Sequence, residues 1–495
     1  MRLFALAAAC GLAPRLCSAT FAFGSSAAQD PLPACASAVQ CNGQFCADIC
    51  PDGTLELDPW LTKSIRFQYN LTIDRSWRWG PILGTHNGFI SRANGFGLTE
   101  DLASAIYARA GPVNATHVRL PNQRYGPKDL LSLGVRELEL DLWDTLVNDK
   151  DFEVVVCHSP VPDPRAVIDL QRAATSAGFG SLNYNPFAEL CSNKTVAWAF
   201  TQVREWLEAN PGDVAEIFLD NRVATWNAGI ITDALAQVFG PLLLTPPELR
   251  SLFNGSFPSR SVLVANGKRV IVESNDYGND YTNTSLPQYA FWPTTWTDQP
   301  GATDLAPFPN CTLHGDASWY GKGLPRLLDG GDLAFSPEEE AEDGIVLKPN
   351  GVSDLVNCAV NNIGLADVSP RWLAAWVWSW AASEPRTVAG GTGCAAAAMT
   401  LVRGSWTAQP CAKLMPALCR SGDNRLPSGN RPDLWNISVA TDFLGAPAAC
   451  AALGAAWAFD VPRDGRENQL VAQRMLVAGM WQREQGLWLN VQTQA

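Results

Sequence analysis

Short apolar runs recur through the first three quarters of the chain, and several end on polar or charged residues. Residues 81–83, 135–142 and 152–157 are such runs, the pattern of strands buried in a sheet. Residues 215–219, 269–273 and 363–366 read the same way. Between them, 195–209 and 230–238 carry apolar residues at helical spacing. This alternation predicts a parallel α/β architecture, and its length suits a TIM-type (β/α)8 barrel. Residues 275–344, rich in Pro, Gly, Asn and Trp, are expected to form extended loops over one barrel face.

From Trp372 the pattern changes. Trp376, Trp378, Trp380, Trp406, Trp435, Trp457, Trp481 and Trp488 fall here with Cys394, Cys411, Cys419 and Cys450. Residues 373–495 are therefore expected to be a Trp- and Cys-rich α+β module. At the other end, Cys35, Cys41, Cys46 and Cys50 lie within 20–60. Their intervals of five, four and three residues, with no histidine nearby, suit a disulfide-stapled segment rather than a metal knot.

The first residues shift the expected compartment. Arg2, an apolar run at 3–12 and Cys17-Ser18-Ala19 have the form of a secretory signal at 1–19. Its removal would leave twelve of the 14 cysteines, an even number suited to an oxidising compartment. Seven Asn-X-Ser/Thr sequons, at Asn70, Asn114, Asn193, Asn254, Asn283, Asn310 and Asn436, fit a secreted, glycosylated surface. No later stretch reads as a membrane span. The net charge of −13 argues against nucleic acid as a partner and against unaided adsorption to anionic lipid.

Candidate chemistry gathers at the ends of three runs. Only four histidines are present, and two of them stand there: His86 in Gly84-Thr85-His86-Asn87 and His158 in Cys157-His158-Ser159. Between them lies Glu139-Leu140-Asp141-Leu142-Trp143-Asp144. On a strand Glu139 and Asp141 point to one face, and paired carboxylates repel unless a cation lies between them. Asp220 ends a later run. Asn87, Glu139, Asp141 and Asp220 form an oxygen set that suits Ca²⁺ better than Zn²⁺. Each motif alone also fits a satisfied structural group or a solvated strand face. His117 and His314 match no motif. In a secreted setting Cys157 reads as a disulfide partner of Cys191 rather than as a nucleophile.

Taken in order, these motifs resemble the catalytic X region of phosphatidylinositol-specific phospholipase C, over roughly residues 75–372. Gly84-Thr85-His86-Asn87 resembles that family's first histidine motif, and the Glu139–Asp144 stretch resembles the calcium-site strand of its eukaryotic branch. The metal-free branch carries an arginine near the position of Asp141, and none stands there. The resemblance implies a phosphoric diester hydrolase using His86, His158 and Glu139, with Ca²⁺ on Asn87, Glu139, Asp141 and Asp220. Asp220 is a second candidate for the base. The implied substrate is a phosphoinositide or other phosphodiester lipid at a membrane surface. No lysine pair follows 269–273, so the lipid need not carry further phosphates.

Residues 373–495 resemble the two halves of a C-type lectin-like domain in reversed order. The first stretch, Trp378 to Glu384-Pro385-Arg386 and on to Cys419, resembles the second half; Phe443 to Trp488-Leu489-Asn490 resembles the first. This resemblance implies Cys394–Cys411 and Cys419–Cys450 disulfides and makes a glycan a candidate partner. Glu384-Pro385-Arg386 and Ser405-Trp406-Thr407 depart from the family's sugar-site motifs, so a lectin-type calcium site is not expected. Two other classes fit the chain: a non-catalytic barrel used for surface binding, and a glycerophosphodiesterase or sphingomyelinase D type of enzyme. Gly-Thr-His-Asn, in place of His-Arg-Gly, speaks against the last.

Overall fold

The computed structural model describes residues 34–42, 45–98, 123–147, 151–158, 172, 175–176, 191–275, 279–292, 306–312, 326–328, 349–360, 362–365, 368–388, 393–398, 405–426, 431–480 and 486–493. The expected leader at 1–19, His117, His314 and Trp481 lie outside the described residues. Pro33–Ala495 forms one compact unit.

The chain opens with an antiparallel pair, β1 (Ala38–Asn42) and β2 (Phe45–Ile49), closed by Cys35–Cys50 and Cys41–Cys46. Helix α1 (Pro59–Leu71) starts where Asp58 accepts from the Trp60 and Leu61 amides and Pro59 supplies a preset first turn. Strand β3 (Ile82–Thr85) follows, then α2 (Pro127–Ser132), β4 (Glu137–Val147), β5 (Asp151–Cys157) and β6 (Cys191–Thr195). Thr195 then caps α3 (Val196–Ala209), whose inner face is Val196, Ala199, Phe200, Val203 and Leu207 at three- and four-residue steps. Beyond it come β7 (Ala215–Asn221), α4 (Ala228–Val238), α5 (Pro246–Phe253), α6 (Arg260–Ala265), β8 (Val270–Ser274), β9 (Arg326–Leu328), α7 (Pro349–Asn357), β10 (Asn362–Leu365) and α8 (Pro370–Trp376).

Six of these strands are parallel and lie in the order β9-β10-β3-β4-β7-β8, extended by a bridge from Glu273 to Phe291. Mixed α/β architecture is therefore present, but the sheet does not close into the expected eight-stranded barrel among the described residues. Two expectations need correction. First, β5 is antiparallel to β4, with Leu142 opposite Val156 and Val147 opposite Asp151. Only residues 148–150 join the two, which suffices for a hairpin and is too short for a parallel crossover. Second, the 275–344 stretch is not loop throughout, because β9 pairs with β10.

Along β4, Leu138, Leu140 and Leu142 are fully buried in the apolar core, so Glu137, Glu139 and Asp141 face the opposite way. The C-terminal region contributes to that same core through Trp372, Trp376, Trp378, Trp380, Trp406 and Trp435. It contains β11 (Gly393–Ala397), β12 (Trp406–Pro410), β13 (Leu418–Ser421), β14 (Trp435–Ile437), α9 (Ala446–Ala451), β15 (Trp457–Phe459), α10 (Gly465–Val477) and β16 (Leu487–Thr493), with sheets β12-β11-β16 and β14-β13-β15. Cys394–Cys411 and Cys419–Cys450 staple it. Buried polar groups lock it to α1 and to the segment that follows α1. The Gln68 amide oxygen accepts from the Trp378 and Ser379 amides, and Arg75 pairs with Asp464 and Glu467 at 2.9 and 2.6 Å. Glu384 is turned inward, accepting from the Ala408 and Arg386 amides.

Candidate active site

Strand β4 has two edges, and their use builds the site. β7 pairs with residues 137–142, so β3 and β5 must share the other edge. β3 runs up that edge and ends with Thr85 opposite Leu138. β5 runs down it and its pairing ends with Val156 opposite Leu142. The two chain segments thus approach head-on, one delivering His86 and the other His158. Their last pairs are four residue steps apart on β4, about 13 Å at the usual strand rise. Glu139, Leu140 and Asp141 fill the interval.

The turn carrying His86 is fixed from several sides. The His86 amide donates to the Leu365 carbonyl at 3.0 Å. Asn87 takes the left-handed conformation, φ 48°, which asparagine tolerates better than most residues. Its amide donates to Glu139 Oε2 at 3.1 Å, and the Gly88 amide donates to the Glu139 carbonyl at 2.8 Å. Glu139 Oε2 also lies 4.0 Å from His86 Nε2, with His86 partly exposed and Glu139 buried. Gly84 has a packing reason: a Cβ there would sit 2.2 Å from Glu137 Oε2 and 2.7 Å from Asn362 Oδ1.

His158 follows Cys157, which is bonded to Cys191 and buried. The His158 carbonyl accepts from Trp143 Nε1 at 3.2 Å. On the far edge of β4, Asp141 is the register partner of Asp220, and both are buried. Asn275 Nδ2 donates to Asp220 Oδ1 at 2.7 Å, while Arg222 Nε lies 3.5 Å from Asp220 Oδ2. The half-exposed Arg222 guanidinium also lies over the Trp143 ring. Deeper in the sheet, Glu216 accepts from Trp77 Nε1 at 2.6 Å. Arg78 lies near Glu216 and Glu273. Burial lowers its guanidinium from the ordinary value, and the charges of Glu273 and Glu216 oppose that.

The structure thus brings together His86, Asn87 and Glu139 by direct contact, and sets Asp141 beside Asp220 by strand register. It sets His158 on the same strand edge. The donor chemistry fits a hard cation, since the four expected ligands are all oxygen and two buried carboxylates are neighbours. Among the described residues, however, no group of three or more His, Cys, Asp or Glu is arranged to hold a metal ion. Three neighbours of the site escaped the sequence reading: Gln123, Arg222 and Asn275. Arg222 had a legible signal, because it stands two residues past Asp220 and so shares its strand face. Gln123 and Asn275 had none.

No family model matches the chain. It is 27% identical over 448 residues to uncharacterized proteins of two Mycobacterium tuberculosis strains, spanning 86% of this chain and 80% of theirs. Among solved structures, it is similar to phosphatidylinositol-specific phospholipase C from Listeria monocytogenes at 12% identity and a TM-score of 0.36, covering 63% of this chain and 97% of that one. The Staphylococcus aureus phosphatidylinositol-specific phospholipase C gives 9% and 0.36, covering 64% and 98%.

Proposed function

We propose that the chain is a secreted phosphoric diester hydrolase of the phospholipase C type. The observation that carries this reading is the head-on meeting of the His86 and His158 segments across Glu139 and Asp141. In this reading an imidazole stands on each side of a bound phosphodiester, with a carboxylate between. Six disulfides support an oxidising, extracellular setting. No helix among the described residues is long and apolar enough to cross a membrane.

In the proposed reaction, a sugar hydroxyl adjacent to the phosphodiester attacks phosphorus. Glu139 takes its proton. Asp220 is less suited to that role, because one oxygen is held by Asn275 and the other faces Arg222. The new O–P bond closes a cyclic phosphate while the P–O bond to the lipid alcohol breaks. His158 gives a proton to the departing alkoxide. His86 donates to the non-bridging phosphoryl oxygens as charge builds there. Ca²⁺, held by Glu139 and Asp141 with Asn87 and Asp220, would lower the pKa of the attacking hydroxyl and neutralise charge. Arg222, beside Asp220 on the β7 side of β4, offers a positive charge.

The test is phosphorus NMR of phosphatidylinositol vesicles incubated with the protein, with calcium and then with chelator. A cyclic inositol phosphate signal that is absent in His86→Ala and His158→Ala supports the reading. A ring-opened monophosphate with no cyclic precursor, or no turnover by folded protein on any phosphodiester lipid, overturns it. Loss of signal with chelator assigns the charge neutralisation to Ca²⁺; unchanged turnover assigns it to Arg222.

A further inference from the structure

Gln123 is fully buried, and both ends of its side-chain amide are engaged. Its Nε2 donates to the carbonyl oxygens of His86 and Leu365, at 2.7 and 2.8 Å. Its Oε1 accepts from the Val368 amide at 3.2 Å. Its backbone is tied to the segment that follows the His86 turn: the Gln123 amide donates to Ile90, and the Arg92 amide donates to Gln123. Gln123 therefore joins three pieces of chain: the turn after β3, the C-terminal end of β10 at Leu365, and the start of the approach to α8 at Val368.

The chemistry of the contact is selective. It needs two N–H donors and one acceptor on a single planar group, at the reach of two methylenes. A carboxylate of that length has no donor, and asparagine is one methylene short. Leu365 O already accepts from the His86 amide, so Gln123 completes a small closed network around the end of β10 and the turn itself. Gln123 thus satisfies the buried Val368 amide and gives the partly exposed His86 turn a donor for its carbonyl.

From this the geometry points to Gln123 as a positioning residue for His86, holding the imidazole beside Glu139 through its own backbone carbonyl rather than by touching substrate. The inference rests on the phosphodiesterase reading for its kinetic consequence, but not for its structural one. Displacement of a reacting group by about 1 Å can lower turnover on the order of 100-fold.

The experiment uses the full chain and two variants, Gln123→Met and Gln123→Glu. Met keeps length and removes the amide; Glu keeps shape and loses both donors. With four histidines in the sequence, the His86 imidazole signal is identified by its absence in His86→Ala and followed through a pH titration by NMR. Folded Gln123→Met is expected to shift the His86 titration while leaving that of His158 in place. It lowers kcat about 10- to 100-fold on phosphatidylinositol vesicles, with KM within twofold. In Gln123→Glu the deficit relative to the parent narrows as pH falls, because a protonated carboxyl regains one donor. A purely structural role predicts lower thermal stability, an unmoved His86 titration and no pH-dependent narrowing; that result overturns the inference. If Gln123→Met does not fold, Gln123→Glu carries the same readouts. If the parent protein turns over no phosphodiester, the functional reading fails while the His86 titration still decides the positioning role.

Discussion

His86 and His158 reach the same edge of β4 by opposite constructions. β3 is four residues long, parallel, and buried throughout. The His86 turn just past it donates backbone amides to Leu365 and to Glu139 on β4, and its His86 carbonyl accepts from Gln123. β5 is antiparallel and leaves Asp151, Phe152 and Glu153 exposed before Val154–Cys157 become buried. At its last residue it is held by the Cys157–Cys191 bond. A segment enclosed by neighbours can be fixed by hydrogen bonds, since water is kept from competing for them. A hairpin that projects past the parallel sheet opens more readily, and a covalent link compensates.

Removing each imidazole in turn should have the largest effect. His86→Ala and His158→Ala should each lower kcat/KM by about 10²- to 10⁴-fold, the usual span for general acid–base groups. The double variant should be little worse than either single one, because in the proposed reaction the two act in one transition state. Vesicle assays at saturating and limiting lipid measure this. A variant that keeps parental turnover removes its histidine from the reaction and leaves the corresponding construction purely structural.

Next comes the bond that distinguishes the two sides. Cys157→Ser with Cys191→Ser removes a cross-link that closes 34 residues of chain. The chain-entropy account gives about 4 kcal/mol for such a loop. Denaturant unfolding should show a loss of that order. The His158 titration should move, and the His86 titration should stay. Were both to move equally, the two histidines would belong to one cooperative element rather than to two separately held segments.

Glu139 lies on β4 between the two sides, and its effect should be intermediate. Glu139→Gln keeps an oxygen for the Asn87 amide but removes the negative charge near His86 Nε2. A fall in kcat of about 100-fold is expected, with chelator adding little to it. Parental calcium dependence in this variant would place the cation, and the base, elsewhere.

What could be read from the sequence follows the range of the forces involved. Strand ends and helix caps are local, so 195–209 was legible as a helix and the structure starts it one residue later, on the Thr195 cap. The direction of β5 was not legible from its apolar run, because Val154-Val155-Val156 fits either orientation. The three-residue link to β4 held the answer. β9 has only Arg326-Leu327-Leu328, too short for any periodicity. Gln123 was invisible because its partners lie 37, 242 and 245 residues away and its side chain carries no chemistry of its own. The Trp-rich region was legible as a change in composition, but not as part of the same core. That depends on Gln68 and Arg75 reaching more than 300 residues along the chain.

The smallest expected effect lies beneath both constructions, at the junction of the stapled N-terminal segment and α2. There Asp52 accepts from the Asp129 amide at 3.1 Å, and the Leu55 amide lies 3.4 Å from Asp129 Oδ1. Burial, then the Asp52 charge, push the Asp129 carboxyl up from 3.8 to about 6, and burial raises Asp52 as well. Lys128 and Lys194 are the cations that face Asp52. Because the folded state holds the Asp129 proton more tightly than the unfolded chain does, its contribution to stability is fully present below about pH 4. It is lost as pH rises through about 6. Asp129→Asn keeps the acceptor for Leu55 and removes the charge. It should flatten the stability profile between pH 4 and 7 and raise stability at pH 7 by on the order of 1 kcal/mol. Thermal unfolding across that range measures it. Since α2 leads into β4, which both histidine segments share, kcat should be unchanged in the variant. A selective loss at either histidine would show that the junction steers one side of the site, and the symmetry of support beneath the two constructions would be gone.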